Sequence, residues 1–296
     1  MIKIKVPATS ANIGPGFDSI GLALSLYNTF TFEEIPKGLE IMGCDDRFKG
    51  EDNLVYTSMK RTLAEIGHEI GGIRITMETN IPVSRGLGSS AACIVAGILG
   101  ANELAGSPLS KDGLLKIATE IEGHPDNVAP ALLGGLVTSI AEGDEVFHNN
   151  INVAKGIKFI ALIPDFTLST KEAREVLPKE ISFKDGVFNV SRVSLLLSAF
   201  SNGKFELLKY GVEDKLHQNY RSKLIPDFDK IKDICNKYNS FGTFISGAGP
   251  TIITIIDEKN KDFIHELKNQ LNSLKNNWLL KELDIDLEGA AVYKEG

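Results

Sequence analysis

Cysteine is scarce: the 296 residues hold three, Cys44, Cys93 and Cys235. An odd number without metal-type spacing excludes a disulfide framework and gives no zinc signature. Basic charge is also short. Lysine and arginine number 32 against 39 acidic residues, for a formal net charge of −7. Tracking a nucleic-acid backbone needs a basic patch, so no nucleic-acid partner is expected. Long apolar runs are missing too. The most hydrophobic stretch, 86–102, is interrupted by Ser89, Ser90, Gly97, Gly100 and Asn102. It reads as a core helix, and no membrane partner is expected. The segment Met1–Pro7 lacks the apolar run of a secretory signal, so a reducing cytoplasm is the expected compartment. Neither G-x-x-x-x-G-K-[ST] nor G-x-S-x-G occurs, which excludes a Walker phosphate loop and a hydrolase elbow. Internal repeats and low-complexity tracts are absent.

What remains is a globular chain of ordinary composition, long enough for one large or two ordinary domains. Its most informative stretch is Pro82-Val83-Ser84-Arg85-Gly86-Leu87-Gly88-Ser89-Ser90-Ala91-Ala92. After Arg85 no charge appears until Glu103. Gly86 to Asn102 therefore reads as a buried helix entered through glycines. Glycine lets a ligand approach the main chain, and a helix N-terminus offers free N–H groups and partial positive charge. Together they predict an anion site. Taken alone, the loop also fits G-x-G-x-x-A, or a tight turn with no ligand. The dinucleotide reading needs an acidic residue closing a second strand about twenty positions on. A helix start stands there instead. Ser89 and Ser90 can cap the helix or supply oxygen ligands to Mg²⁺. A carboxylate partner is then needed, and Glu120 and Glu122 are the candidates. They lie about 200° apart around a helix, so one site takes one of them.

The patterning predicts a strand at 2–6 ended by Pro7, a loop at 8–18, and two strands within 20–34. A helix at 53–66 and a strand at 72–81 follow. Ser110 caps a helix that stops at Gly123. A turn at His124–Asn127 leads to a short helix at 128–133 and a strand at 136–141. Loops surround Asn149 and Asn150. A strand at 157–163, a polar loop at 164–180 and a helix at 186–200 open the second half. Beyond 226 the order helix–strand–strand–helix–strand suits an antiparallel α+β sandwich. Arg174 and Arg221 suit a two-point grip on a carboxylate. The second glycine loop, Gly247-Ala248-Gly249-Pro250, reads as a hairpin or as a source of backbone N–H groups for a ligand.

Three of these segments stand in order: Pro7–Asp18 (Pro7-Ala8-Thr9-Ser10-Ala11-Asn12-Ile13-Gly14-Pro15-Gly16-Phe17-Asp18), Pro82–Ala92, and Ile245–Pro250. Together they resemble the three signatures of the GHMP small-molecule kinases, over nearly the whole chain. His124-x-Asp126-Asn127, Thr170–Arg174 and Arg221–Pro226 resemble the members that act on homoserine. The resemblance implies an α+β fold of two domains. The first, 1–155, is like domain 2 of a small-subunit ribosomal protein, and the second, 156–296, is ferredoxin-like. It implies transfer of a phosphoryl group from ATP to the side-chain hydroxyl of L-homoserine, in threonine biosynthesis. By carry-over, Asn12, Asp18, Asn127, Arg174, Arg221 and Gly247 bind homoserine, with Asp18 suited to the ammonium and the arginines to the carboxylate. Asn12, Asp126 and Asn127 stand at the reaction, Asp126 as a base or only as a turn former. Ser90 and Glu120 match the Mg²⁺ positions, and residues 82–92 cradle the triphosphate. ATP, Mg²⁺ and L-homoserine are the expected ligands. A homodimer is the one assembly expected, and nothing in the sequence fixes it.

Overall fold

A computed structural model describes residues 1–294. Along the chain run β1 (Ile2–Ala11), β2 (Ile20–Ile35), β3 (Gly38–Met42), α1 (Leu54–Ile66), β4 (Gly72–Glu78), α2 (Ser89–Leu104), α3 (Lys111–Glu122), α4 (Pro125–Leu133), β5 (Leu136–Glu142) and β6 (Glu145–Ile151). The second half holds β7 (Ile157–Pro164), α5 (Thr170–Glu175), α6 (Phe183–Asn202), α7 (Leu208–Gly211), α8 (Gln218–Arg221), α9 (Phe228–Lys237), β8 (Gly242–Ile245), β9 (Ile252–Asp257), α10 (Phe263–Leu271), β10 (Trp278–Leu283) and β11 (Ala291–Lys294).

Among the described residues, seven strands form the first sheet, in the order β11-β1-β2-β4-β3 with β5 and β6 attached through β2. Pro7 does not end β1. The strand continues to Ala11, and the ladder with β2 shifts register between Pro7 and Ala8. Proline has no N–H to give the ladder, and a bulge absorbs that loss. The two strands expected within 20–34 are one. β2 pairs β5 through Ile20–Leu22 and β4 through Thr29–Ile35, while β1 follows it along the other edge. The loop expected around Asn149 and Asn150 is β6, a largely exposed strand paired to β5. Against this sheet packs α2, apolar on nearly every side and enclosed by β1, α1, α3 and α4.

The second sheet has the antiparallel order β10-β7-β9-β8. With α10 between β9 and β10 this is the ferredoxin-like arrangement. Alternation along β7 divides its side chains between two cores. Phe159 and Ala161 join the large core shared with the first sheet, and Ile160 and Leu162 face α9 and α10. The last strand, β11, leaves the second half and pairs with β1 from Ile2↔Lys294 to Lys5↔Ala291. A division of the chain at 155/156 therefore separates the two sheets except for this returning strand. No helix among the described residues is long and apolar enough to cross a membrane.

Candidate active site

The loops where the two halves meet enclose a cavity of about 440 Å³, within the usual size of small-molecule sites. Its wall takes the Asn12–Asp18 loop, the glycine loop, the α3–α4 turn, the start of α5, Arg221 and the Gly247–Gly249 hairpin.

The glycine loop is seated by its neighbours. Gly86 has φ +77°, and a Cβ there would stand 2.4 Å from the carbonyl oxygen of Ser246. Ser246 Oγ donates to the Gly86 carbonyl at 2.6 Å, and Thr251 N donates to that of Arg85 at 3.2 Å. Helix α2 begins at Ser89, three residues later than the pattern predicts, because Gly86 and Gly88 both adopt left-handed φ. Neither Ser89 nor Ser90 caps it, and the position before Ser89 is Gly88, without a side chain. The first N–H groups of a 16-residue helix are thus left facing the cavity. Val83, Ser84, Arg85, Gly86, Gly88, Ser89 and Ser90 line that wall, whereas Leu87, Ala91 and Ala92 point into the core and Pro82 stands aside. The Arg85 guanidinium donates to the carbonyls of Pro164, Asp165 and Val83. Its role here is to hold the second half.

The acidic helix resolves its two candidates. Ser90 Oγ donates to Glu122 Oε2 at 3.0 Å, and both line the cavity. Burial pushes the Glu122 carboxyl above its usual range, opposed by the Ser90 hydroxyl. Glu120, expected from the family pattern, points away and pairs with Arg61 of α1. The angular separation of two helical positions sends Glu120 to α1 and Glu122 to the loop. The carboxylate beside Ser90 is therefore Glu122, and this corrects the carry-over.

In the turn, His124 Nδ1 meets Asp126 Oδ1 at 2.5 Å, and that bond first raises the imidazole pKa. Asp126 is 2% exposed. Ligand atoms of Asp18, His124 and Asp126 lie within 4.8 Å of one another, so an imidazolium here would have two carboxylates close by. Asn127 faces the same space.

The N-terminal loop is strained, with positive φ at Asn12, Ile13 and Asp18, as functional loops often are. Asn12 has both ends engaged: Oδ1 accepts from Asp18 N at 3.0 Å and Nδ2 donates to Gly247 O at 2.9 Å. Asp18 receives both Nη atoms of Arg174, at 3.1 and 2.9 Å. Arg174 stands on α5, which begins in the capping box of Ser169 and Glu172 within the expected polar loop. Arg221, 2% exposed, donates from Nε to Ala173 O and from Nη1 to Gly247 O, and meets His217 Nδ1 at 3.2 Å. Among the described residues Nη2 has no such bond. Burial lowers this guanidinium to about 10, still charged at neutral pH. The Gly247 carbonyl holds Asn12 and Arg221, and its N–H goes to Ala11 O. It therefore orders two neighbours, and its amide is not free for a ligand as the sequence reading allowed.

The sequence reading missed three sets of residues. His217 joins Gly14 O to Arg221 through its two ring nitrogens, and burial lowers its pKa. Its four-residue spacing from Arg221 was the available signal. Phe17 places its ring 5.6 Å from the Arg174 guanidinium and 5.2 Å from that of Arg221. Phe48, Asn53, Met77 and Cys93 add an apolar part to the cavity lining. No local pattern marks it, since these residues come from separate elements. Burial pushes the Cys93 thiol up to about 12.

The family model for the GHMP kinases N terminal domain matches residues 53–135, and that for GHMP kinases C terminal matches 196–273. A homoserine kinase of Clostridium botulinum (strain ATCC 19397 / Type A) is 56% identical over 292 residues, covering 99% of this chain and 98% of that protein. One from Clostridium beijerinckii is 52% identical over 295 residues, with 99% of each covered. The crystal structure of homoserine kinase from Cytophaga hutchinsonii superposes with a TM-score of 0.88 at 30% identity, covering 99% of this chain and 97% of that one. The chain belongs to the GHMP kinase family.

Proposed function

We propose that the chain transfers the γ-phosphoryl group of ATP to the side-chain hydroxyl of L-homoserine. One observation carries this reading beyond the relatives' names. An acid and two arginines suited to the two charged ends of an amino acid, Asp18, Arg174 and Arg221, share a cavity with an open helix N-terminus suited to phosphates. In this reading Asp18 takes the substrate ammonium and Arg221 Nη2 its carboxylate, with Arg174 released from Asp18 to join the grip. The triphosphate lies along Val83–Ser90, and the apolar part of the lining, at Phe48, Met77 and Cys93, takes the base.

Ser90 Oγ and Glu122 Oε2 are hard oxygen donors 3.0 Å apart, a pair that fits Mg²⁺. When bound, the cation supplies neutralisation of phosphate charge. The acceptor oxygen forms a bond to the γ-phosphorus while the bond to the β–γ bridging oxygen breaks, releasing ADP. Asp126 shares one oxygen between His124 and Asn127, which makes it a holder of the turn, so the hydroxyl proton leaves on the transferred phosphoryl group. Asn127 faces the reacting oxygens, and Asn12 orders Asp18 and Gly247. Catalysis then rests on positioning and charge stabilisation, as phosphoryl transfer allows.

The test is a coupled ADP-release assay with a panel of alcohols. L-Homoserine should turn over, and mevalonate and galactose should give little. Preference for either of the latter would overturn the substrate.

A further inference from the structure

Thr9 is completely buried in β1 and does not line the cavity. Yet it touches two parts of the transfer site. Its Oγ1 donates to Asn127 Oδ1 at 2.8 Å. Its backbone N–H donates to the Leu87 carbonyl at 3.1 Å, inside the glycine loop. A Cβ on residue 88 would stand 1.9 Å from the same hydroxyl. Gly88 therefore leaves the room that the Thr9 hydroxyl occupies.

A carboxamide accepts at one end and donates at the other. With Oδ1 engaged by Thr9, the donor end of Asn127 is Nδ2, which lies 3.4 Å from Asp126 Oδ1 and has a second hydrogen for the cavity. Turned by 180°, the same side chain would present a lone pair to phosphoryl oxygens and repel them. The orientation of one amide thus decides whether Asn127 stabilises or opposes the charge in transfer. A hydroxyl can donate or accept, so the sense of the amide comes from Asp126 Oδ1, a carboxylate oxygen that accepts from the NH₂ end, while the shorter Thr9 bond holds the amide in that sense.

We propose that Thr9 is a positioning residue for phosphoryl transfer: its hydroxyl holds in place the Asn127 carboxamide, whose NH₂ end, selected by Asp126, faces the reacting oxygens. This rests on the reading of Asn127 as a group that faces those oxygens. Through its backbone N–H Thr9 is also bonded to the phosphate loop, so one residue stands between the acceptor and donor sides of the reaction.

The full chain is compared with Thr9→Val, which keeps the shape and removes the hydroxyl, and Thr9→Ser, which keeps the hydroxyl. Thr9→Val should lower kcat with L-homoserine by roughly tenfold to a hundredfold, as loss of one oriented donor does. KM for ATP should stay within about twofold, the mark of an interaction felt in the transition state. Thr9→Ser should return kcat to within about threefold of the parent. In an Asn127→Ala background, Thr9→Val should change kcat by less than about twofold, because the two act as one unit. A parent-like kcat for Thr9→Val, an equal loss in Thr9→Ser, or full additivity with Asn127→Ala would each overturn the proposal. So would parallel losses of kcat and ATP affinity, which would mark a deformed loop. Absence of turnover by the parent would instead overturn the substrate reading, and the role of Thr9 with it.

Discussion

Glu120 and Glu122 stand two positions apart on α3, and the helix delivers them to different surroundings. Glu122 meets Ser90 inside the cavity, while Glu120 pairs with Arg61 across α1. If Glu122 holds Mg²⁺, Glu122→Gln should raise the Mg²⁺ concentration for half-maximal activity at least about tenfold, since a carboxylate is the dominant ligand charge. Glu120→Gln should leave it within about twofold, as an exposed pair contributes little. Initial rates over a Mg²⁺ titration decide between them, and a larger shift for Glu120→Gln would reverse the assignment. Asp18, Arg174 and Arg221 were singled out through the motifs that carry the family resemblance, and the fold sets all three around one cavity. The choice between the glutamates was not legible, because it depends on Arg61, which no motif ties to α3. The engagement of Asn12 and Gly247 was hidden for the same reason: their partners lie 235 residues apart.

Among elements, the glycine loop was legible as an anion site and illegible as a joint. Composition shows that glycine is required, and only the fold shows what presses on it. At Gly86 that is the Ser246 carbonyl of the second half. Gly86→Ala places a Cβ at positive φ and 2.4 Å from that oxygen. The strain should cost about 1–3 kcal/mol. Melting should fall by several degrees, and ATP affinity should drop roughly tenfold as the loop shifts. Thermal melts and nucleotide titration check this; an unchanged affinity would show that the loop binds without its seat. Elements with clear apolar periodicity, such as α1 and α9, were legible from pattern alone, and α2 from its long run without charge. The strand β6 was not, because an exposed edge needs no apolar face. Helix α5 hid in a polar loop because six residues carry too few apolar positions to show a period, though its capping box was written in Ser169 and Glu172.

At the scale of the whole molecule, the two sheets share one core and a set of backbone bonds through the glycine loop and the 246–251 hairpin. Their unfolding should therefore be a single event. The only tryptophan, Trp278, lies on β10 in the second sheet and reports on it alone. Removing the chain from residue 291 onward takes β11 from the first sheet. Its loss should lower the midpoint of the Trp278 fluorescence transition together with that of far-ultraviolet dichroism. A truncated chain whose tryptophan transition stays at the parent midpoint would show two independent units. The broad two-domain plan was legible from the order of motifs. The return of β11 was not, since a four-residue strand carries no address for its partner.

That return sets a timetable for making the protein. β1 leaves the ribosome before the rest of its sheet, and the neighbour that covers its outer edge is synthesised almost 290 residues later. At ordinary elongation rates the nascent chain carries that open edge for on the order of tens of seconds. A bare strand edge is a template for pairing with any other chain nearby. The demand on cellular chaperones should therefore fall at the start of this chain's life, while its first strand waits for its last.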